Sequence, residues 1–227
     1  MVVAFKINME IIDFIDTLKQ LVATALPGEL AHEKMYPSNR KEENFVLKTS
    51  QQFRESAVAI LLYHENNVLN CVLTQRQVYD GKHSGQISFP GGKKEDFDAE
   101  ILHTALRECE EEIGFRPNED AIIGRLTEVY IPVSGFVVHP FLFYHFEKPT
   151  FILNQREVAE LIDFPLFQLI DEQRVGTTTI PFEGNRSLKD VPYFSIEGKV
   201  VWGATALILS ELKELVKGVK SKRGETN

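Results

Sequence analysis

The chain has 227 residues, of which 33 are acidic and 25 are basic, so its formal net charge is −8. This length suits one large domain with terminal additions, and a hydrophobic content of 43% is sufficient for a packed core and argues against wholesale disorder. The acidic excess argues against a general affinity for nucleic acid or for an anionic membrane, because both require a positive field.

The first predicted element is an amphipathic helix over residues 8–26 that ends at Leu26-Pro27-Gly28, a stop signal. Charged residues interrupt its apolar positions, so we expect neither a secretory signal nor a membrane span. The two cysteines, Cys71 and Cys109, are too few for a disulfide framework and favour a reducing, cytoplasmic location. The helix also offers a surface for a homodimer, although the sequence does not define the oligomeric state.

The central part of the chain alternates between β-rich and helical patterns. The next predicted elements are strands over 56–63 and 68–76 joined by a turn at Glu65-Asn66-Asn67, a polar loop over 77–86, and a short strand over 87–89 that ends at Pro90-Gly91-Gly92. A helix over 99–113 follows, and Gly114 is expected to cap its C-terminus.

The last third of the chain reads mostly as strands. Its predicted elements are strands over 121–130, 135–146, 158–163, 175–181 and 192–201, a short helix over 165–170 and a closing amphipathic helix over 205–216. This order predicts an α/β (α+β) domain in which helices pack on a mixed sheet. We expect an N-terminal helical extension over 1–50, a core domain over 51–216 and a polar, mobile tail over 217–227.

Three carboxylates occur together on the helix predicted over 99–113. Glu108, Glu111 and Glu112 fall within an arc of about 100°, beside an apolar stripe that faces the core. Like charges at this spacing repel, and the helix dipole disfavours them near a C-terminus. A divalent cation removes both penalties, since clustered carboxylate oxygens suit Mg²⁺ or Mn²⁺. The alternative is a solvated acidic face that pairs with Arg107, because most runs of charged residues on helices are solvent-exposed faces.

The net charge of the chain is concentrated around this helix. Eight acidic residues and one arginine lie between Glu95 and Glu112, so this segment carries seven of the eight excess negative charges. Bound cations would offset that charge locally. The same segment would then become a place where an anionic diphosphate could bind.

A Gly-Gly turn followed by a helix with Arg-Glu-x-x-Glu-Glu and a terminating Gly resembles the Nudix box of diphosphate hydrolases. The residues that match the second half of the box are Arg107, Glu108, Cys109, Glu111, Glu112, Gly114 and Phe115. In the first half, Gly92 lies one residue too far upstream, and Asp98 occupies the spacing at which a Glu should follow it. This insertion resembles the coenzyme A pyrophosphatase branch of the family.

An upstream signature resembles the same branch. Its matching residues are Leu73, Thr74, Arg76, Gly85, Phe89, Pro90, Gly91 and Gly92. Gln77 and Gly81 depart from the pattern, which has Ser and Arg at these positions. Lys82 follows directly after Gly81 and could supply the cation that the missing Arg would provide. In the branch this segment recognises the coenzyme A moiety, so the two departures concern the identity of the substrate.

The resemblance implies a Nudix fold, a mixed β-sheet sandwiched between α-helices, and a role for each motif residue. The implied metal site comprises Glu108, Glu111, Glu112, Asp98 and a backbone carbonyl of Gly91 or Gly92, and the implied substrate contacts are Arg76, Lys82, His83, Gln86, Phe89 and Gly91. Arg107 is expected to orient the carboxylates. The general base is Glu111, Glu112 or, on a later loop, Glu157.

Several of these residues also have simpler interpretations. Asp98 suits an N-cap of the helix, and Glu157 suits an ordinary surface position. Arg76 and His83 could equally be an exposed cation and an exposed loop histidine.

Three functions remain open at this stage. The resemblance implies hydrolysis of coenzyme A or its thioesters to 4′-phosphopantetheine and adenosine 3′,5′-bisphosphate. Gln77 and Gly81 motivate the alternative of another nucleoside diphosphate derivative, such as ADP-ribose. A catalytically silent module that senses a nucleotide is the third hypothesis, and the presence of all three box carboxylates argues against it. In each case the partner is a small molecule, and neither nucleic acid nor a membrane is expected.

Overall fold

The computed structural model describes residues 2–37, 53–78, 85–132, 134–182 and 186–224. The α-helices in these ranges are α1 (Val2–Thr24), α2 (Glu29–His32), α3 (Ile101–Ile113) and α4 (Gly203–Lys222). The strands are β1 (Arg54–Glu65), β2 (Val68–Arg76), β3 (Ile87–Ser88), β4 (Gly91–Lys93), β5 (Ile122–Arg125), β6 (Val129–Ile131), β7 (Phe136–His145), β8 (Val158–Pro165), β9 (Val175–Phe182), β10 (Arg186–Ile196) and β11 (Lys199–Trp202). None of the helices in the described ranges combines the length and the hydrophobicity that a membrane-spanning segment requires.

The larger sheet is mixed and is built around β1. This strand pairs antiparallel with β2 and β4, and parallel with β7 from Arg54↔Phe136 to Tyr63↔His145. On one side of β1, the strand β2 pairs with β8 and β3, and on the other side β7 pairs with β5 and β6. Strands β9, β10 and β11 form a separate antiparallel sheet.

Strand β1 is buried on both faces, because helices cover both sides of the sheet. Ala57, Ala59 and Leu61 point into one apolar cluster with helix α3, whereas Ile60 and Leu62 point into a larger cluster with α1 and α4. This alternation follows from the two-residue period of a strand. The predicted sandwich of a mixed sheet between helices is confirmed.

The hairpin between β1 and β2 forms at the predicted position. Asn66 and Asn67 have φ values of 50° and 64°, in the left-handed region that asparagine tolerates better than most residues. Positive φ at both central residues is the requirement of the two-residue turn whose twist matches that of the flanking strands.

Four predicted boundaries were wrong. The Pro90-Gly91-Gly92 run does not end the strand pairing, because Gly91–Lys93 is itself a strand that pairs with β1. The strand predicted over 121–130 is two strands, β5 and β6. Helix α1 begins at Val2, well before residue 8. Helix α4 continues to Lys222, so the first part of the expected mobile tail is helical, and Lys217 Nζ donates to Glu172 Oε1 at 2.7 Å.

A buried carboxylate joins the N-terminal segment to the core. Glu211 on α4 is 0% exposed; its Oε1 accepts from Gly28 N at 3.0 Å and from Thr127 Oγ1 at 2.6 Å, and its Oε2 accepts from Thr127 N at 3.0 Å. His32 Nε2 lies 3.4 Å from Oε2. Burial opposes ionisation of Glu211, but the close approach of His32 and the hydrogen bonds from Thr127 outweigh it and lower the pKa of this carboxyl. Glu211 therefore holds α2 and the β5–β6 link against α4.

We expect Glu211→Ala to lower the free energy of unfolding by about 3 kcal/mol, because it leaves several buried donors without an acceptor. Urea denaturation followed by circular dichroism measures this loss. The matched control is Glu214→Ala on the same helix, which breaks a half-exposed pair with Lys34 and should cost less than about 1 kcal/mol. Equal losses of unfolding free energy in the two variants would contradict the role of Glu211 in holding the N-terminal segment to the core.

The contribution of Glu211 to stability should depend on pH. Because its pKa is lowered in the folded protein, the contribution is complete above its ordinary pKa of 4.5 and is lost as the pH falls through the lower folded value. The difference in stability between the wild type and Glu211→Ala should therefore shrink in acid. A difference that stays constant from pH 7 to pH 3 would refute this linkage.

Candidate active site

Helix α3 packs its apolar face on the sheet, which leaves Glu108 and Glu112 beside the glycines of β4. Ala105, Leu106, Cys109 and Ile113 are each fully buried against the sheet, as the apolar stripe predicts. Gly114 has a φ of 69° and its N–H donates to Glu110 O at 2.9 Å, which confirms the predicted C-terminal cap.

Arg107 is the centre of the charged cluster. Its Nε and Nη2 donate to the two oxygens of Asp98 at 3.1 and 2.9 Å, which is a bidentate pair. Its Nη1 donates to Glu108 Oε1 at 2.7 Å and to Glu111 Oε2 at 3.0 Å. One guanidinium thus ties the loop before the helix to two of the three box carboxylates.

Asp98 anchors this guanidinium and does not cap the helix. The residue that precedes α3 is Glu100, so the N-cap interpretation of Asp98 was wrong. Besides Arg107, Oδ2 of Asp98 accepts from Thr104 Oγ1 at 2.9 Å and from Glu95 N at 3.0 Å. The bond from Arg107 is the main cause that lowers the pKa of Asp98 to about 2. In this arrangement the oxygens of Asp98 are occupied by protein donors.

Two of the three box carboxylates, Glu108 and Glu112, are desolvated. The Glu112 side chain is 3% exposed; Gly91 N donates to its Oε2 at 3.3 Å, and Arg76 Nη1 lies 3.8 Å from its Oε1. Burial raises the pKa of Glu112 to about 8, although the charge of Arg76 opposes the shift. Burial also raises the pKa of Glu108. Ionisation of these two carboxylates is therefore unfavourable until a positive charge comes close to them.

The two glycines of β4, Gly91 and Gly92, are required by close approach. A Cβ on Gly92 would lie 2.4 Å from the carboxylate carbon of Glu108, and a Cβ on Gly91 would lie 2.4 Å from the carbonyl oxygen of Ala57. Any larger residue at position 92 would displace Glu108. These contacts explain why a glycine pair precedes the acidic helix.

Glu157 lies on the turn that leads into β8 and is exposed. Its charge contributes to the raised pKa values of both Glu108 and Glu112, so it lies within electrostatic range of the same cluster. Asn154 Nδ2 donates to Glu157 Oε1 at 3.0 Å. The sequence did not single out Asn154, because a polar residue in a turn carries no pattern that distinguishes it.

The predicted substrate contacts fare differently from one another. Arg76 lies beside Glu112, and the backbone of Gln86 accepts from Arg76 N at 2.9 Å. Phe89 was wrongly assigned: it is 1% exposed and belongs to the larger apolar cluster, so its ring supports the site from within the core. Lys82 and His83 lie outside the described residues.

The donor chemistry of the cluster fits a divalent cation. Glu108, Glu111 and Glu112 supply hard carboxylate oxygens, and the desolvation of two of them favours a bound positive charge. Within the described part of the chain, however, no group of three or more acidic, histidine or cysteine side chains is arranged to hold a metal ion. Arg107 provides the compensating charge for Glu108 and Glu111 in this arrangement.

We expect Asp98→Asn to destabilise the protein by about 2 kcal/mol, because an amide cannot accept the bidentate pair from Arg107. The measurement is the free energy of unfolding in urea at pH 7. Asp96→Asn removes the same charge two residues away, at an exposed position, and should leave stability within about 0.5 kcal/mol of the wild type. If both variants behave alike, Asp98 is not the anchor of Arg107.

Comparisons with known proteins identify the family of this chain. The family model of the NUDIX domain matches residues 53–178, which is more than half of the chain. A protein described as an uncharacterized Nudix hydrolase NudL from Pectobacterium atrosepticum is 35% identical over 73% of this chain and 84% of its own length. The corresponding protein from Yersinia enterocolitica is 33% identical over 64% of this chain and 73% of its own.

A solved structure of a MutT/nudix family protein from Enterococcus faecalis shares the fold. Its TM-score is 0.52 at 16% identity, and the match covers 76% of this chain and 65% of that one. The family model ends before β10, β11 and α4, so these elements lie beyond the matched residues. The chain belongs to the Nudix family and is a Nudix hydrolase.

Proposed function

We propose that this protein hydrolyses the diphosphate bond of a nucleoside diphosphate derivative with the aid of Mg²⁺ or Mn²⁺. The observation that carries the proposal is the pair of desolvated carboxylates, the half-buried Glu108 and the buried Glu112, whose pKa values are raised beside the exposed Glu111 and Glu157. Such an anionic excess in one place has no role in folding, since like charges at helical spacing repel. It suits a site that neutralises phosphate through cations.

The residues that would hold the cations are Glu108, Glu111 and Glu112, together with a backbone carbonyl of Gly91 or Gly92. When bound, these ions neutralise the phosphate oxygens and make a water molecule more acidic. Arg107 holds the carboxylates of Glu108 and Glu111 in place, and Asp98 holds Arg107.

Arg76 is the residue that we propose contacts a phosphate of the substrate. Its Nε is buried and has no hydrogen-bond partner among the described residues, and its Nη1 lies 3.8 Å from Glu112. A guanidinium with unused donors beside the carboxylates can bind a phosphate through two parallel hydrogen bonds.

Glu157 is our candidate for the general base. Oε2 of Glu111 accepts a hydrogen bond from Arg107, and Glu112 is almost fully buried, whereas Glu157 is exposed and accepts one hydrogen bond from Asn154. A base must reach the water from which it takes a proton, which favours the exposed carboxylate. Glu111 is the second candidate, because its side chain is 51% exposed.

For the substrate, we propose coenzyme A or its thioesters, on the strength of the Arg76-to-Gly92 signature. The departure at Gln77 favours the second candidate, another nucleoside diphosphate derivative such as ADP-ribose. Gln77 Nε2 donates to Gln155 O at 2.8 Å, so its amide is engaged with the turn that carries Glu157. A cytoplasmic location and a homodimer formed through α1 remain parts of this proposal.

A panel of diphosphates tests the proposal. The protein is incubated with coenzyme A, ADP-ribose and other nucleoside diphosphate derivatives in Mg²⁺ or Mn²⁺, and the products are identified by mass. We expect adenosine 3′,5′-bisphosphate and 4′-phosphopantetheine from coenzyme A, and no turnover after chelation of the metal. A preference for ADP-ribose would select the second substrate, and no product from any diphosphate would refute the hydrolase.

We expect Glu112→Gln to lower kcat/KM on the order of 100-fold, because the variant retains the shape of the side chain but cannot ionise to bind a cation. Steady-state kinetics on the preferred substrate measure this loss. The control is Glu110→Gln on the same helix, which removes an exposed pair with Arg116 and should retain the wild-type rate. Wild-type kinetics in Glu112→Gln would contradict the role of the carboxylate cluster.

A further inference from the structure

The turn that carries Glu157 is held by backbone bonds to the two segments that flank the site. Ile152 N donates to Ile113 O at 2.8 Å, and Asn154 N donates to Glu112 O at 2.9 Å, so the turn is attached to the end of α3. On its other side, Gln77 N donates to Glu157 O at 2.9 Å. The backbone of the turn is therefore fixed independently of the side chain of Asn154.

The side chain of Asn154 makes two different hydrogen bonds. Its Oδ1 accepts from Arg156 N at 3.2 Å, which closes the turn, and its Nδ2 donates to Glu157 Oε1 at 3.0 Å. Oε2 of Glu157 has no hydrogen bond to any described residue. One carboxylate oxygen is thus held by a neutral donor, and the other is left to accept a proton.

We propose that Asn154 is a positioning residue, whose Nδ2 hydrogen bond directs the carboxylate of Glu157 towards Glu108 and Glu112. The backbone N–H of Asn154 is itself hydrogen-bonded to the carbonyl oxygen of Glu112. This inference rests on the proposed role of Glu157 as general base. The attachment matters because the same residue that holds the base is hydrogen-bonded to the helix that carries the box carboxylates. A shift of α3 would therefore move the base with it.

The neutral amide is suited to this role. A cation at position 154 would orient Glu157 equally well, but it would stabilise the ionised carboxylate and weaken it as a base. An amide donor fixes the direction of the carboxylate with a smaller effect on its basicity. A hydrogen bond at 3.0 Å also removes rotational freedom that a surface glutamate otherwise has.

The test is Asn154→Asp, which is nearly isosteric. It retains an oxygen to accept from Arg156 N and leaves every backbone bond of the turn intact, but it replaces the donor to Glu157 with a repelling carboxylate. We expect kcat to fall at least 10-fold with KM within twofold of the wild type, and the midpoint of thermal unfolding to stay unchanged. Gln155→Glu is the matched control, since it adds the same charge at the adjacent exposed position and should retain the wild-type kcat.

A double-mutant cycle with Glu157→Gln separates positioning from structure. If Asn154 acts through Glu157, Asn154→Asp should cause no further loss of kcat in the Glu157→Gln background. Equal losses in both backgrounds, or a change confined to KM, would overturn the inference. Asn154→Ser, which can still offer a hydroxyl donor, should recover part of the rate.

The same set of variants distinguishes failure of the inference from failure of the proposed function. A wild-type kcat in Asn154→Asp, with a reduced kcat in Glu157→Gln, would overturn only the role of Asn154. A wild-type kcat in Glu157→Gln would overturn both the base and its positioning residue. Absence of any product from the wild-type enzyme would overturn the hydrolase itself.

Discussion

The site depends on the ion pair between Arg107 and Asp98. Helix α3 carries carboxylates that repel one another, and two of them are desolvated against the sheet. The guanidinium of Arg107 joins Glu108 and Glu111, and it is itself held in place by the bidentate contact with Asp98 from the preceding loop. Arg107 is the only arginine or lysine between Glu95 and Glu112. Without that anchor, its guanidinium would be free to turn away from Glu108 and Glu111.

Packing places this charged face at the sheet. The small side chains of Ala57 and Ala59 lie on the side of β1 that α3 covers. On the neighbouring strand β4, Gly92 leaves room for the carboxylate of Glu108. The close approach desolvates the carboxylates, which in turn raises their pKa values. Strand pairing, helix packing and the electrostatics of the site are therefore consequences of the same contacts.

Features with a local physical cause were predictable. The apolar stripe of α3, its glycine cap, and the asparagine turn between β1 and β2 each depend on residues close together in the chain. The N-cap interpretation of Asp98 and the substrate contact predicted for Phe89 were wrong because the environments of both residues are built by distant residues. Nothing local to Phe89 indicates that the larger core surrounds it, and nothing local to Asp98 indicates that Arg107, nine positions later, occupies its oxygens.

By itself, the sequence determined that the chain concentrates its negative charge on one loop and the helix after it, behind a Gly-Gly pair, because charge, periodicity and spacing are properties of contiguous residues. Only the tertiary structure decided which carboxylates are buried, which one Arg76 approaches, and that Glu157 comes within electrostatic range of Glu108 and Glu112 from a turn about fifty residues later. These outcomes depend on sheet topology, since the pairing of β2 with β8 brings that turn beside the end of α3.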